Sequence, residues 1–135
     1  MKRLAAIGMC MVLALAMLVP SSASAARAET KVTVDHWFPG GPSGDGFWTG
    51  RVKSVEKACR KDRHVTLYMS LGEKNTEIGD DESAKGAAGG WVWAVQTEEI
   101  PEEGAYFAFV APKFGCKGDE SKTFRYPEDN APRKR

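Results

Sequence analysis

Residues 91–110 read WVWAVQTEEIPEEGAYFAFV, and this stretch decides the fold. Trp91, Trp93 and Val95 recur at every second position, and so do Tyr106, Ala108 and Val110. Side chains two apart lie on one side of an extended chain, so each run offers a strand one face to bury. Acidic residues, a proline and a glycine separate the two runs and interrupt regular structure. The pattern repeats outward. Trp48, Gly50 and Val52 share a face of a first strand. Val65, Leu67 and Met69 face one way in a second, with His64, Thr66 and Tyr68 opposite. Glu77-Ile78-Gly79 reads as a short third strand, which makes the runs in the quoted stretch the fourth and fifth. A last short run, Thr123 to Tyr126, precedes Pro127. Nothing sustains a 3.6-residue period, and Ser54 to Arg60 suffices for a helical turn or two. The expectation is an all-β fold, a small antiparallel sandwich, with a barrel as second choice.

The N-terminus carries a different signal. Lys2 and Arg3 precede an uninterrupted apolar run, Leu4 to Val19, and Pro20-Ser21-Ser22 ends it. Ala23-Ser24-Ala25 then supplies the small residues that a signal peptidase reads. Residues 1–25 are expected to be a signal peptide, cleaved after Ala25 or, at a second site, after Ala28. The run is short for spanning about 30 Å of hydrocarbon, which argues against a retained anchor. Cys10 lies inside it without a lipobox. The whole chain has 19 basic and 18 acidic residues; removing Lys2 and Arg3 leaves 17 against 18, a net charge near −1. Such a balance offers no basic surface for nucleic acid and no polybasic helix for a membrane.

Export implies an oxidising compartment. Cys59 and Cys116 are then expected to form one disulfide rather than to bind metal. Lys31 to Phe38 reads as a leading edge strand through Val32 and Val34, and Pro39 to Gly46 reads as a loop. Residues 29–46 are therefore set apart from a sandwich domain at 47–126. Residues 127–135, which end in Arg133-Lys134-Arg135, read as a disordered basic tail.

The order of features resembles a known group. Trp48-Thr49-Gly50-Arg51-Val52-Lys53-Ser54 is followed by Ala58-Cys59-Arg60 and by Arg63-His64-Val65-Thr66-Leu67-Tyr68. Then come Ile78-Gly79-Asp80-Asp81, Gly90-Trp91 and Gly104 to Val110, with Cys116 and Ser121-Lys122-Thr123 closing the series. Across residues 47–126 this resembles exported actinobacterial Ig-like β-sandwich modules, which are similar to the carboxypeptidase-regulatory, or transthyretin-like, fold. The resemblance implies a non-catalytic sandwich that accompanies another domain. Ser83 to Gly89 departs from it as an insertion. Transthyretin relatives that are hydrolases end in Tyr-Arg-Gly-Ser, and this chain ends Pro132-Arg133-Lys134-Arg135, so no hydrolase residue carries over.

Candidate chemistry is sparse. The histidines of the sequence are His36 and His64, and no Gly-x-Ser-x-Gly turn is present, so catalysis is not expected. Asp80-Asp81-Glu82 reads as a compact acidic turn whose oxygens suit calcium, with Asp45 as a further ligand. It lacks EF-hand spacing, so a solvated turn is expected, with no metal and no cofactor. Aromatic residues carry more. Trp91 and Trp93 point to one side of their strand and serve either to stack on a glycan or to fill the core. Phe107 and Phe109 point outward and form either a contact patch, as exposed aromatic groups do, or a face covered by a segment such as Lys31 to Phe38. Trp37 and Phe38 are that cover or a separate anchor. The functional expectation is an exported protein-interaction or structural module acting through Phe107, Phe109, Trp37 and Phe38, with self-association or a protein partner. The alternative is a carbohydrate- or wall-binding module using Trp91 and Trp93. A small secreted enzyme needing His36 or His64, or an inhibitor presenting the rigid loop Pro39 to Gly46, ranks third.

Overall fold

The computed structural model describes residues 26–132 apart from Ser43. The signal-peptide reading of residues 1–25 and the basic end at 133–135 lie outside the described residues. Ten strands occur among those described: β1 (Lys31–Val32), β2 (His36–Pro39), β3 (Gly46–Lys53), β4 (His64–Leu71), β5 (Lys74–Glu82), β6 (Ala84–Lys85), β7 (Trp91–Thr97), β8 (Gly104–Val110), β9 (Asp119–Glu120) and β10 (Phe124–Tyr126). Single 3-10 turns cover Lys57–Cys59 and Glu128–Asn130.

The strands form two antiparallel sheets packed face to face. In the first, β1 and β2 lie end to end along β3, followed by β7 and then β6. In the second, β9 and β10 lie end to end along β8, followed by β4 and then β5. The alternation read from sequence fills the space between them. Trp48, Val52, Val65, Leu67, Met69, Trp93, Val95, Tyr106, Ala108 and Val110 are all buried there, joined by Val32, Trp37 and Phe124. Trp48 packs at 4.5 Å from Tyr106 and edge-on at 5.5 Å from Phe124. Gly50 makes room for Trp93: a Cβ there would stand 1.8 Å from the Thr33 carbonyl and 2.6 Å from the indole. The same indole N–H donates to the Thr33 carbonyl at 3.1 Å.

Three expectations need correction. The third strand runs nine residues, Lys74–Glu82, and not three. It is a sheet edge, so most of its side chains are polar and exposed and give no alternating signal. The leading segment belongs to the sandwich, because β1 and β2 pair with β3 and bury Val32 and Trp37. A bulge hides this in the sequence: Asp35 N–H donates to the Thr49 carbonyl at 2.8 Å, while His36 is the register partner of Thr49. Two residues opposite one shift the alternation by a position, so Trp37 turns inward and Phe38 outward. Residues 127–132 are not a free tail either. The Asn130 side-chain amide accepts from Trp37 N–H at 2.7 Å and donates to the Trp37 carbonyl at 3.1 Å. One side chain thus substitutes for a neighbouring strand, which no hydrophobic periodicity would reveal.

At one end of the sandwich the connections converge on Arg63, which is 1% exposed. Its guanidinium donates to Thr30 Oγ1 at 3.0 Å and to the carbonyls of Cys59 (2.8 Å), Ala111 (2.7 Å) and Lys117 (3.2 Å). Burial holds its pKa below the usual arginine value. Its own backbone is also held: N–H donates to Ser83 Oγ at 2.9 Å, and the carbonyl accepts from Ser83 N–H at 2.9 Å. Buried Ser83 is the corner where the chain passes from β5 in one sheet to β6 in the other. The Cys59–Cys116 disulfide, which closes a 57-residue separation, sits beside this cluster. A loop of that size corresponds to about 4 kcal/mol in the chain-entropy account. Ala28 is drawn in as well, donating to the Gly115 carbonyl and accepting from Lys117 N–H, each at 2.9 Å. Glu29 pairs with Lys117, whose hydrogen bond and charge hold the carboxyl below its usual range.

Arg63→Met will strip four acceptors of their shared donor, each costing about 1–3 kcal/mol when left buried and unmet. Urea denaturation should show a loss of about 3 kcal/mol or more, and a loss below about 1 kcal/mol would contradict the arrangement. Gly50→Ala will push the Trp93 indole aside and cost about 1–3 kcal/mol by overpacking. Near-ultraviolet circular dichroism of the tryptophans should change with it.

Candidate functional site

The structure separates the aromatic candidates sharply. Trp93 is fully buried and occupies the inner face, so it is not open to a sugar ring. Trp91 shares that face and stays half-buried. The pair Trp91–Trp93 is therefore core and its margin, and the glycan-stacking reading of the two rings is corrected. Trp37 is 5% exposed, packed edge-on to Tyr126 at 5.8 Å, which removes it as a surface anchor. The bulge before it is the physical reason.

Phe107 and Phe109 do point outward, on the second sheet, but both are half-buried. Phe107 stacks on its register partner Tyr68, centroids 5.3 Å apart and planes 19° from parallel. Phe109 lies between Thr66 of β4 and Glu120 of β9, and Thr66 is itself buried. The neighbours on this face come from its own sheet; Lys31 to Phe38, offered as a cover, belongs to the other one.

The polar candidates are dispersed. His64 Nε2 lies 3.6 Å from Asp80 Oδ2, with both side chains largely exposed. Asp80-Asp81-Glu82 is the end of β5 and not a turn. Alternation sends Asp81 the other way from Asp80, and Asp81 Oδ2 accepts from Ala94 N–H at 2.7 Å, capping the open edge of β7. Asp45 lies in the loop before β3. Among the described residues no group of three His, Cys, Asp or Glu is placed to hold a metal ion.

What remains open is the outer face of the first sheet. Phe38 is 41% and Phe47 38% exposed. The two are register partners on β2 and β3, and their rings stack at 5.2 Å and 28°. His36 sits edge-on to Phe38 at 4.4 Å. Farther along the same face, Arg51 Nε donates to Asp35 Oδ2 at 2.7 Å. The result is a platform of two phenyl rings and an imidazole beside a balanced ion pair. Strand addition is blocked where the edge could offer it: Asn130 occupies both backbone groups of Trp37, and Asp119 Oδ2 accepts from Val32 N–H at 2.8 Å. This edge is therefore closed to an added strand, while the face stays exposed. Of these residues, sequence reasoning found Phe38 and missed Phe47. Phe47 could have been found as the residue out of phase with Trp48, Gly50 and Val52.

Comparison with protein-family models finds no match, and no match is found among the curated proteins or the solved structures.

Oxidation of the folded protein with N-bromosuccinimide should modify Trp91 first and leave Trp37, Trp48 and Trp93 until unfolding. Trp91→Phe should abolish the fast phase; its persistence would show that another indole is open.

Proposed function

We propose that this protein is an exported, non-catalytic β-sandwich that acts as a protein-interaction module outside the cell or at its envelope, and that its contact face is the Phe38–Phe47 platform. Export rests on the leader pattern of Lys2, Arg3 and the apolar run to Val19, with the disulfide as a compatible feature. The single observation that carries the contact reading is the stacked, exposed phenyl pair on a strand face whose edge is already capped. The occupant we assign is a second copy of the chain. A face that holds both Asp35 and Arg51 beside its aromatic rings is self-complementary, as a two-fold contact requires. Each ring is already more than half covered, so its further burial contributes about 1 kcal/mol, and the contact is weak unless the surrounding face joins it.

Light-scattering mass measured against concentration in high salt, which screens charge-driven contacts and leaves apolar ones, should show a monomer–dimer equilibrium, and Phe38→Ser/Phe47→Ser should remove it with the urea midpoint unchanged. A double variant that dimerises like the parent would sink the assignment. Retention of the parent on insoluble peptidoglycan, chitin or cellulose, lost in the same variant and relieved by soluble oligomer, would replace it with a carbohydrate-binding module.

A further inference from the structure

The two ends of the sandwich carry opposite chemistry. At the end where β3 and β8 begin, a cleft of about 560 Å³ opens between the sheets. Leu71, Ile78 and Ile100 line its open part, and Trp48, Tyr106 and Met69 lie buried behind them. The segment Glu98-Glu99-Ile100-Pro101-Glu102 forms the lip, held by Tyr106 O–H donating to the Glu102 carbonyl at 2.7 Å. Ile100 is 61% and Leu71 54% exposed. Glu98, Glu99 and Glu102 are exposed, and among the described residues no cation pairs with them. Trp48 is fully buried, yet its indole N–H has no hydrogen-bond partner.

At the opposite end, beside the disulfide, Phe114 is fully exposed. It tips a two-residue turn closed by Lys113 N–H to the Cys116 carbonyl at 3.1 Å and Cys116 N–H to the Lys113 carbonyl at 2.8 Å. Gly115 takes the left-handed position at φ 75°. The disulfide and the Ala28 bridge fix the base of this turn. Lys113 adjoins Phe114 in sequence, Lys117 nearby is paired with Glu29, and Lys57, Arg60 and Lys61 lie in the segment joined to the turn by Cys59.

We infer that these ends recognise each other: the Phe114 turn of one copy seats at the mouth of the cleft of the next, between Leu71, Ile78 and Ile100. Three features select that occupant. The knob is apolar, and exposed Leu71 and Ile100 make the cleft mouth apolar as well. Lys113 beside the knob and the glutamates of the lip are opposite in charge, so the two surfaces are complementary. The knob is pre-ordered, so insertion costs little conformational entropy. A contact between unlike ends is heterologous, and its repetition gives rings or open chains and not closed dimers. The tip is small, which places the contact at the weak end of the interface range, with strong dependence on concentration and salt.

The experiment uses the chain in the Phe38→Ser/Phe47→Ser background, which silences the platform. In it, light-scattering mass should rise beyond a dimer with concentration and fall on added salt. Phe114→Ser should stay monomeric, and so should Glu99→Lys/Glu102→Lys; both change exposed side chains and should keep the urea midpoint. An equimolar mixture of these two variants retains one intact cleft and one intact knob, and should stop at dimer mass. A parent that stays monomeric at millimolar concentration, a Phe114→Ser variant that still grows, or a mixture that stays monomeric would each overturn the head-to-tail contact. None of these results bears on the platform, which is judged by the mass of the unsubstituted chain in high salt, where the head-to-tail contact is dispersed.

Discussion

One buried guanidinium holds the connections of this sandwich together. Among the described residues no carboxylate pairs with Arg63; its positive charge is met by three carbonyls and a hydroxyl. A buried cation is costly unless its donors are satisfied, and charge-assisted hydrogen bonds are stronger than neutral ones. The acceptors come from the N-terminal segment, the disulfide loop and the segments on either side of Cys116. Carbonyls in such crossing loops have no ladder partners, and one planar, multi-donor side chain reaches several at once. Asp62, in the left-handed region at φ 49°, gives the sharp turn that delivers Arg63 inward, and Ser83 locks the same point to the corner between sheets.

The disulfide and Arg63 act on different states. The cross-link limits the unfolded chain, whereas the guanidinium satisfies polar groups that exist only in the folded one. Together they make the end near Cys59 and Cys116 the fixed end of the molecule. The other end lacks such ties and opens into the cleft floored by Trp48 and Tyr106. Elsewhere, polar side chains do the work of missing strands: Asn130 along β2, Asp119 beside β1 and Asp81 along β7. All three caps lie on strands of the first sheet, whose backbone edges they close at Val32, Trp37 and Ala94.

Much of the fold was legible because strand alternation is a local property. The inward sets of β3, β4, β7 and β8 were read correctly from spacing alone, and the Cys59–Cys116 pairing from compartment and count. The missed parts all depend on non-local partners. Trp37 faces the core only because a bulge forms against Thr49. The full length of β5 is fixed by its pairing with β4, since its own residues are nearly all polar. Arg63 carries no mark of its role in the sequence, because nothing in a linear sequence distinguishes a solvated arginine from one enclosed by carbonyls. Of the aromatic residues offered as a contact surface, Phe38 is exposed, Phe107 and Phe109 are half-buried and Trp37 is buried, while Phe47, which stacks on Phe38, went unread.

The enclosure of Arg63 is most directly tested by nitrogen-edited NMR of the guanidinium groups. Four hydrogen bonds to fixed acceptors should stop rotation of this side chain and shield its protons. The account predicts separate, slowly exchanging Nη resonances for one arginine, assigned by their loss in Arg63→Lys, while the others show averaged lines. A single averaged, rapidly exchanging signal for Arg63 would contradict it.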